Sequence, residues 1–177
     1  YRRQRQMCIR DSYKLPINLP GTCPNRDGSK GYNGCIFCDA KGAGFDALSP
    51  SLSIRRQIAE NKEFYARRFG AKKFISYFQS YSNTYLPVER FTKNLFAACG
   101  EDIVAISVST RPDCLSEEHL DALEKVKQEQ GVDIDVELGL QTVNYRTLRK
   151  INRGHTLAEF IDAVNRIKAR DFEICVH

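Results

Sequence analysis

No apolar run in the 177 residues approaches the length of a membrane span, and no signal-peptide pattern is visible. A membrane-spanning protein is therefore not expected, and a cytoplasmic location is. The seven cysteines are an odd number and are not spread like a disulfide scaffold, so reduced thiols fit better than paired ones. No internal sequence repeat is present. Strong net charge is also lacking once the chain is divided. Residues 1–12 hold four arginines and one aspartate, so +3 of the formal +5 sits there, and the remainder carries 23 basic against 21 acidic residues. That balance removes most of the support for a general nucleic-acid binder. Residues 1–12 read unlike the rest and resemble a translated sequencing-adapter remnant, a non-native tail, with a disordered basic tail as the alternative. The folded domain is expected over 13–177. Its length, with 42% hydrophobic and 28% charged residues in the whole chain, suits one globular domain with a real core.

The chain is organised around one glycine-rich loop that carries Cys23, Cys35 and Cys38 at C-x11-C-x2-C spacing. Thiolates in this pattern bind soft metals or iron–sulfur clusters. Cys35 and Cys38 can grip one metal centre, and the long spacer lets Cys23 close it from another side. Gly28, Gly31 and Gly34 let the backbone turn tightly. Two readings stand at this point. Structural zinc wants four ligands, the fourth drawn from Asp39, Cys8 or a distant histidine. A [4Fe–4S] cluster held by three cysteines leaves one iron open to a cofactor or substrate.

The rest of the chain alternates strand and helix signals. Lys14–Leu19 predicts a first strand, with the cysteine loop directly after it. Ser51 or Ser53 caps a helix running to about Phe69, and Gly70 ends it. Lys73–Gln79 predicts a strand and Pro87 the first turn of the next helix, which ends near Cys99-Gly100. Ile103–Ser109 predicts a third strand, Ser116 a helix cap closed by Gly131, and Val132–Leu140 a fourth strand. A short helix is expected over Asn144–Ile151, a capping box at Thr156 and Glu159 opens a helix to about Ala169, and Phe172–Val176 starts a last strand.

Alternation within the strands says more. Val104, Ile106 and Val108 share one face of the third strand, and Ala105, Ser107, Ser109 and Arg111 the other. In the fourth, Ile134, Val136, Leu138 and Leu140 oppose Asp133, Asp135, Glu137, Gly139 and Gln141. Parallel strands that are polar on one face need a wet interior. The pattern predicts an α/β fold, a partial or full βα barrel with helices outside and function at the C-terminal strand ends. An antiparallel meander with a solvated face is the competing arrangement.

Ser109-Thr110-Arg111-Pro112-Asp113-Cys114, Glu137-Leu138-Gly139-Leu140-Gln141-Thr142 and Asn152-Arg153-Gly154-His155 stand in that order after the cysteine loop. With that loop, and Phe37 directly before Cys38, they resemble radical S-adenosylmethionine (SAM) enzymes. The likeness is to a bacterial family of Fe–S oxidoreductases related to the Elongator catalytic subunit. The spacing C-x11-C-x2-C departs from the usual C-x3-C-x2-C and resembles that Elongator-related subgroup. The resemblance runs from about Lys14 to His177. It implies a TIM-like partial (βα)6 barrel, four to five of its six units present, in a family whose domain continues past the point where this chain stops; a truncated domain is expected.

The resemblance further implies that Cys23, Cys35 and Cys38 hold three irons and that SAM chelates the fourth. Reductive cleavage of SAM would then give a 5′-deoxyadenosyl radical. It places Phe37 near the adenine, with core packing as the alternative. Arg111 and Ser109 are candidates for the SAM carboxylate or ribose hydroxyls, since arginine suits planar carboxylates. Glu137 and Gln141 are candidates for the amine or ribose, with a purely structural hydrogen bond on the interior face as the alternative for each of these four, and Arg153 and His155 are candidates for the rim. Tyr77, Tyr81 and Tyr85 suit either base stacking or packing. Cys114 is expected on the same rim as the cysteine loop, Cys175 deep on the interior face, and Cys99 packed at a helix end. The implied partners are a reductant such as flavodoxin or ferredoxin and, as substrate, a tRNA wobble uridine. No acetyltransferase domain of the Elongator kind is present, so acetyl transfer is not carried over. The alternative is a zinc-stabilised, non-catalytic module that binds nucleic acid or protein.

Overall fold

Strand β1 (Tyr13–Ile17) leads into the cysteine loop, and the chain then alternates regularly: α1 (Ile54–Phe69), β2 (Phe74–Phe78), α2 (Val88–Ala97), β3 (Ile103–Thr110), α3 (Glu117–Gln130), β4 (Asp133–Leu138), α4 (Tyr145–Lys150), α5 (Leu157–Ala169) and β5 (Glu173–Val176), with a 3-10 turn at Pro112–Cys114. The computed structural model describes residues 12–38 and 47–177. The expected non-native tail, apart from Ser12, lies outside them, as do Cys8 and Asp39.

Local chemistry sets the helix ends. Ser53, rather than Ser51, caps α1 by accepting from the Arg56 amide, and Ser116 caps α3 by accepting from that of His119. Gly70 and Gly131 close these helices in the left-handed conformation. The capping box of α5 is complete: Thr156 accepts from the Glu159 amide while the Glu159 carboxylate accepts from that of Thr156. Pro87 precedes α2, in the cap position, rather than lying in its first turn.

The five strands lie in the order β1-β2-β3-β4-β5, every neighbouring pair parallel. Parallel pairing throughout replaces the meander alternative. A strand order without reversal also lacks the switch point of a doubly wound sheet. Leu15, Ile17, Phe78, Ile106, Val108, Ile134, Val136 and Leu138 form one core with Leu95, Leu120, Leu123, Val126 and Ile167 of the helices. Each such side chain contributes about 1.5–3 kcal/mol on burial. Val104 departs from the expected alternation. The β2–β3 register shifts between Phe74 and Ile75, which leaves Val104 bulged and puts Ile103 in the core instead.

The other face carries Lys14, Tyr77, Ser107, Ser109, Asp135 and Glu137, and it is curled. Lys14 on β1 forms an ion pair with Glu137 on β4. Across a flat sheet those strands stand about 14 Å apart, three spacings of about 4.8 Å, beyond the reach of one lysine and one glutamate side chain. The sheet is nevertheless open. Among the described residues β1 pairs only with β2, and β5 only with β4. The expected barrel is therefore not what the described residues form: they make a curved parallel five-stranded sheet backed by helices, without closure. Ser107 and Glu137 are buried on the concave face, whereas β5 at the open edge leaves Cys175 exposed. Cys175 is thus not deep in an interior, since among the described residues no strand pairs with β5 on its outer side.

Candidate functional site

The cysteine loop leaves β1 at a point fixed by polar side chains of α1. The buried Gln57 accepts from the Asn18 amide at 2.8 Å and donates to the Asn18 and Leu52 carbonyls, and Asn61 donates to the Pro16 carbonyl. These two residues carry no apolar signal, so hydrophobic spacing does not reveal them. The loop itself is folded by its own backbone. The amides of Arg26 and Asp27 donate to the Cys23 carbonyl, those of Lys30 and Gly31 to Pro24, and that of Gly34 to Asn25 at 2.8 Å. Of the three glycines expected to turn the loop, Gly28 and Gly34 adopt positive φ.

A second segment, Asn152 to His155, clamps this loop onto the end of β4. Asn152 donates to the carbonyls of Tyr32 and Gly34, and the Ile36 amide donates to the Ile151 carbonyl. Asn25, fully buried, donates back to the carbonyls of Asn152 and Arg153. Arg153 donates to the Gly139 carbonyl at 2.8 Å, and His155 Nε2 lies 3.0 Å from the same oxygen. Burial and the Arg153 charge lower the pKa of His155. Arg153 and His155 do lie at the rim, but their partner is Gly139 of the polypeptide. Asn25 carries no sequence signal of this role, because a lone asparagine in a polar loop has no period to betray it.

The clamp places all eight expected residues on the wall of one cavity of about 280 Å³. Cys23, Cys35, Cys38 and Phe37 come from the loop, Ser109 and Arg111 from the end of β3, and Glu137 and Gln141 from the end of β4. Tyr77, Tyr81, Arg153 and His177 line it too. Cys23 and Cys35 are buried and Cys38 half-buried, and burial raises the Cys23 thiol. Phe37 is 54% exposed, so core packing does not account for it. Cys114 lies elsewhere. It lines a separate cavity with Tyr85, Leu86, Leu115 and His119, because the 3-10 turn carries it away from the cysteines. Burial and the neighbouring Asp113 push its thiol up to about 12.

Two of the expected contacts are already engaged. Arg111 forms a bidentate pair with Asp113, Nε and Nη2 each at 2.9 Å, and both side chains are buried. Its Nη1 is buried without a partner. Asp113 is also held by Lys30 of the cysteine loop at 2.8 Å, and Lys30 reaches Glu159 as well. Burial would raise the Asp113 carboxyl, but these two cations bring it below its ordinary value. Glu137 accepts from Lys14, from Tyr77 at 2.7 Å and from Ser109 at 2.9 Å, with His177 Nε2 at 3.1 Å. Against its burial, the bonds from Lys14, Tyr77 and Ser109 hold its carboxyl down to about 2. Tyr77 is pushed upward by burial and by Glu137. Tyr81 faces Arg26 and Tyr85 hydrogen-bonds Ser29, so both are occupied within the protein.

Among the described residues no three His, Cys, Asp or Glu side chains gather around one ion. An iron–sulfur cubane takes each thiolate on its own iron, so its ligands need not meet at a point. Three soft donors on one wall, facing polar groups across a cavity, fit such a cluster together with a small polar cofactor.

The parallel α/β sheet thus presents three cysteines and a polar cavity at the C-terminal ends of its strands, where α/β folds carry their sites. The comparison with known families agrees: residues 18–177 match the model described as the radical SAM superfamily, and the chain belongs to that superfamily. Its members generally bind a [4Fe–4S] cluster and SAM. The chain is similar to the uncharacterized protein YtqA of Bacillus subtilis (strain 168), 34% identical over 166 residues that cover 93% of this chain and 51% of YtqA. It is also similar to protein YhcC of Escherichia coli (strain K12), 36% identical over 167 residues, covering 93% and 52%. A Methanocaldococcus jannaschii protein is 33% identical over 168 residues, 93% and 50%. The chain thus spans about half the length of the curated relatives it matches. No helix among the described residues is long and apolar enough to cross a membrane.

Proposed function

We propose that Cys23, Cys35 and Cys38 are the ligands of a [4Fe–4S] cluster, that SAM fills the adjoining cavity, and that the curved sheet belongs to a partial barrel. The observation that carries this reading is the single cavity shared by the three thiols and the five residues expected to meet SAM. When bound, the cluster supplies one electron for reductive cleavage of the SAM sulfonium, the source of a 5′-deoxyadenosyl radical. The chain's own residues bind and orient. The orphaned Nη1 of Arg111 is a buried cationic donor suited to a carboxylate oxygen, while Asp113 fixes the guanidinium plane. Phe37, exposed between two ligand cysteines, offers a ring face to the adenine. Glu137 stays ionised at neutral pH and holds Tyr77 and Ser109 in place, so its main role is to shape the cavity floor. Gln141, at the end of β4 with φ 71, offers an amide to the ribose or the methionyl amine.

Anaerobic reconstitution tests the cluster. Iron and acid-labile sulfide should be taken up in equal amounts with brown absorbance, whereas a colourless protein that retains zinc would restore the zinc-module alternative. A flavodoxin or ferredoxin would serve as electron donor. For the substrate we carry forward the tRNA wobble uridine that the resemblance to the Elongator catalytic subunit suggests. Failure of unmodified tRNA to bind the reconstituted protein at low salt would remove it.

A further inference from the structure

Two guanidiniums end on the proposed ligand sulfurs, and each reaches its sulfur past a glycine. Arg26 donates from Nη2 to Cys38 Sγ at 3.2 Å. A Cβ at Gly34 would stand 3.0 Å from Arg26 Nε, and Tyr81 covers the same guanidinium at 5.3 Å. Arg153 directs Nη1 at Cys35 Sγ, 3.8 Å away, while Nη2 holds the Gly139 carbonyl. A Cβ at Gly139 would overlap the Arg153 guanidinium. Arg153 is 9% exposed, and its Nε is buried without a partner, so its charge is spent on this site rather than on solvent. Asn25 adds a neutral donor to Cys35 at 3.5 Å. Cys23 has burial without a guanidinium bonded to its sulfur among the described residues.

A donor on a ligand thiolate withdraws negative charge, and a cationic donor does so most strongly. Each electron added to a cluster makes it more negative, so such donors favour the reduced state and raise the potential. We propose that Arg26 and Arg153 are positioning residues that raise the reduction potential of the cluster through Cys38 and Cys35, with Gly34 and Gly139 as the spaces that admit them. This rests on the cluster reading given above. It assigns the two arginines a role distinct from holding SAM, and it separates the three cysteines: Cys38 and Cys35 each take a guanidinium hydrogen bond, whereas Cys23 is bonded by the Asn25 backbone amide and meets the Arg111 charge only through space.

The test uses reconstituted protein and reads iron and sulfide first, then the midpoint potential by a redox titration followed with electron paramagnetic resonance. Arg26→Gln should keep the cluster and shift its midpoint to a more negative potential, and Arg26→Lys should shift it less. Gly139→Ala displaces Arg153 without removing it and should shift the midpoint in the same direction. Gly139→Ala also reads the Arg153 arm independently should Arg26→Gln fail to load. A fully loaded cluster at wild-type potential in both Arg26→Gln and Gly139→Ala would overturn this inference alone. Failure of the wild type to take up iron and sulfide would overturn it together with the cluster reading.

Discussion

Glu137→Gln isolates the buried carboxylate on the concave face. Its carboxyl falls from an ordinary 4.5 to about 2 because Lys14, Tyr77 and Ser109 all donate to it, outweighing its burial. A depression of that size corresponds to about 3 kcal/mol of folding stability at neutral pH. Lys14 is 42% exposed, so solvent screens its share, and the measured loss should be about 2 kcal/mol. The sign follows from the direction. A depressed carboxyl stabilises above its unfolded value of 4.5, and that contribution disappears as the pH falls through about 2. Urea denaturation of both proteins at a series of pH values is the assay. The gap between wild type and Glu137→Gln should be full at pH 7, begin to narrow below about 4.5 and close near 2. A gap of constant size across that range would assign the loss to packing rather than to the charge.

Asn25→Ala removes the buried donor to the Arg153 carbonyl and should cost about 1–3 kcal/mol in denaturant midpoint, with faster proteolysis of the cysteine loop; unchanged protection would mean that the clamp is held elsewhere. Arg111→Ala strips a buried partner from Asp113 and should cost about 3–5 kcal/mol as well as weakening SAM binding. The double change Arg111→Ala with Asp113→Asn should recover part of that stability but not the SAM affinity, whereas additive losses would contradict the coupling.

Much of the frame is legible in the chain because its signals are local. Ser53 and Gly70, Ser116 and Gly131, and Thr156 with Glu159 mark helix ends by hydrogen bonds made within one turn. The alternation in β4 separates Val136 and Leu138, in the core, from Glu137 on the concave face. What the sequence hides is pairing across distance. Nothing local ties Lys14 to Glu137, 123 positions away, or Asn25 to the Arg153 carbonyl, 128 away, yet these contacts curl the sheet and dock the loop. Arg111 illustrates a different limit, a local partner that competes with the expected ligand. Its residue type suggests a carboxylate partner, and the fold supplies one from Asp113, two residues on. Cys114 stands close to Arg111 in sequence, but the intervening 3-10 turn sends it into a different cavity.

A three-cysteine cluster with one iron open to SAM would show itself in the electron paramagnetic resonance spectrum of the reduced, reconstituted protein, recorded with and without SAM. Wild type and Cys114→Ala should both show a SAM-induced change. Cys23→Ala, Cys35→Ala and Cys38→Ala should each lose the cluster signal. A spectrum indifferent to SAM in the loaded wild type, or loss of iron in Cys114→Ala, would contradict the account.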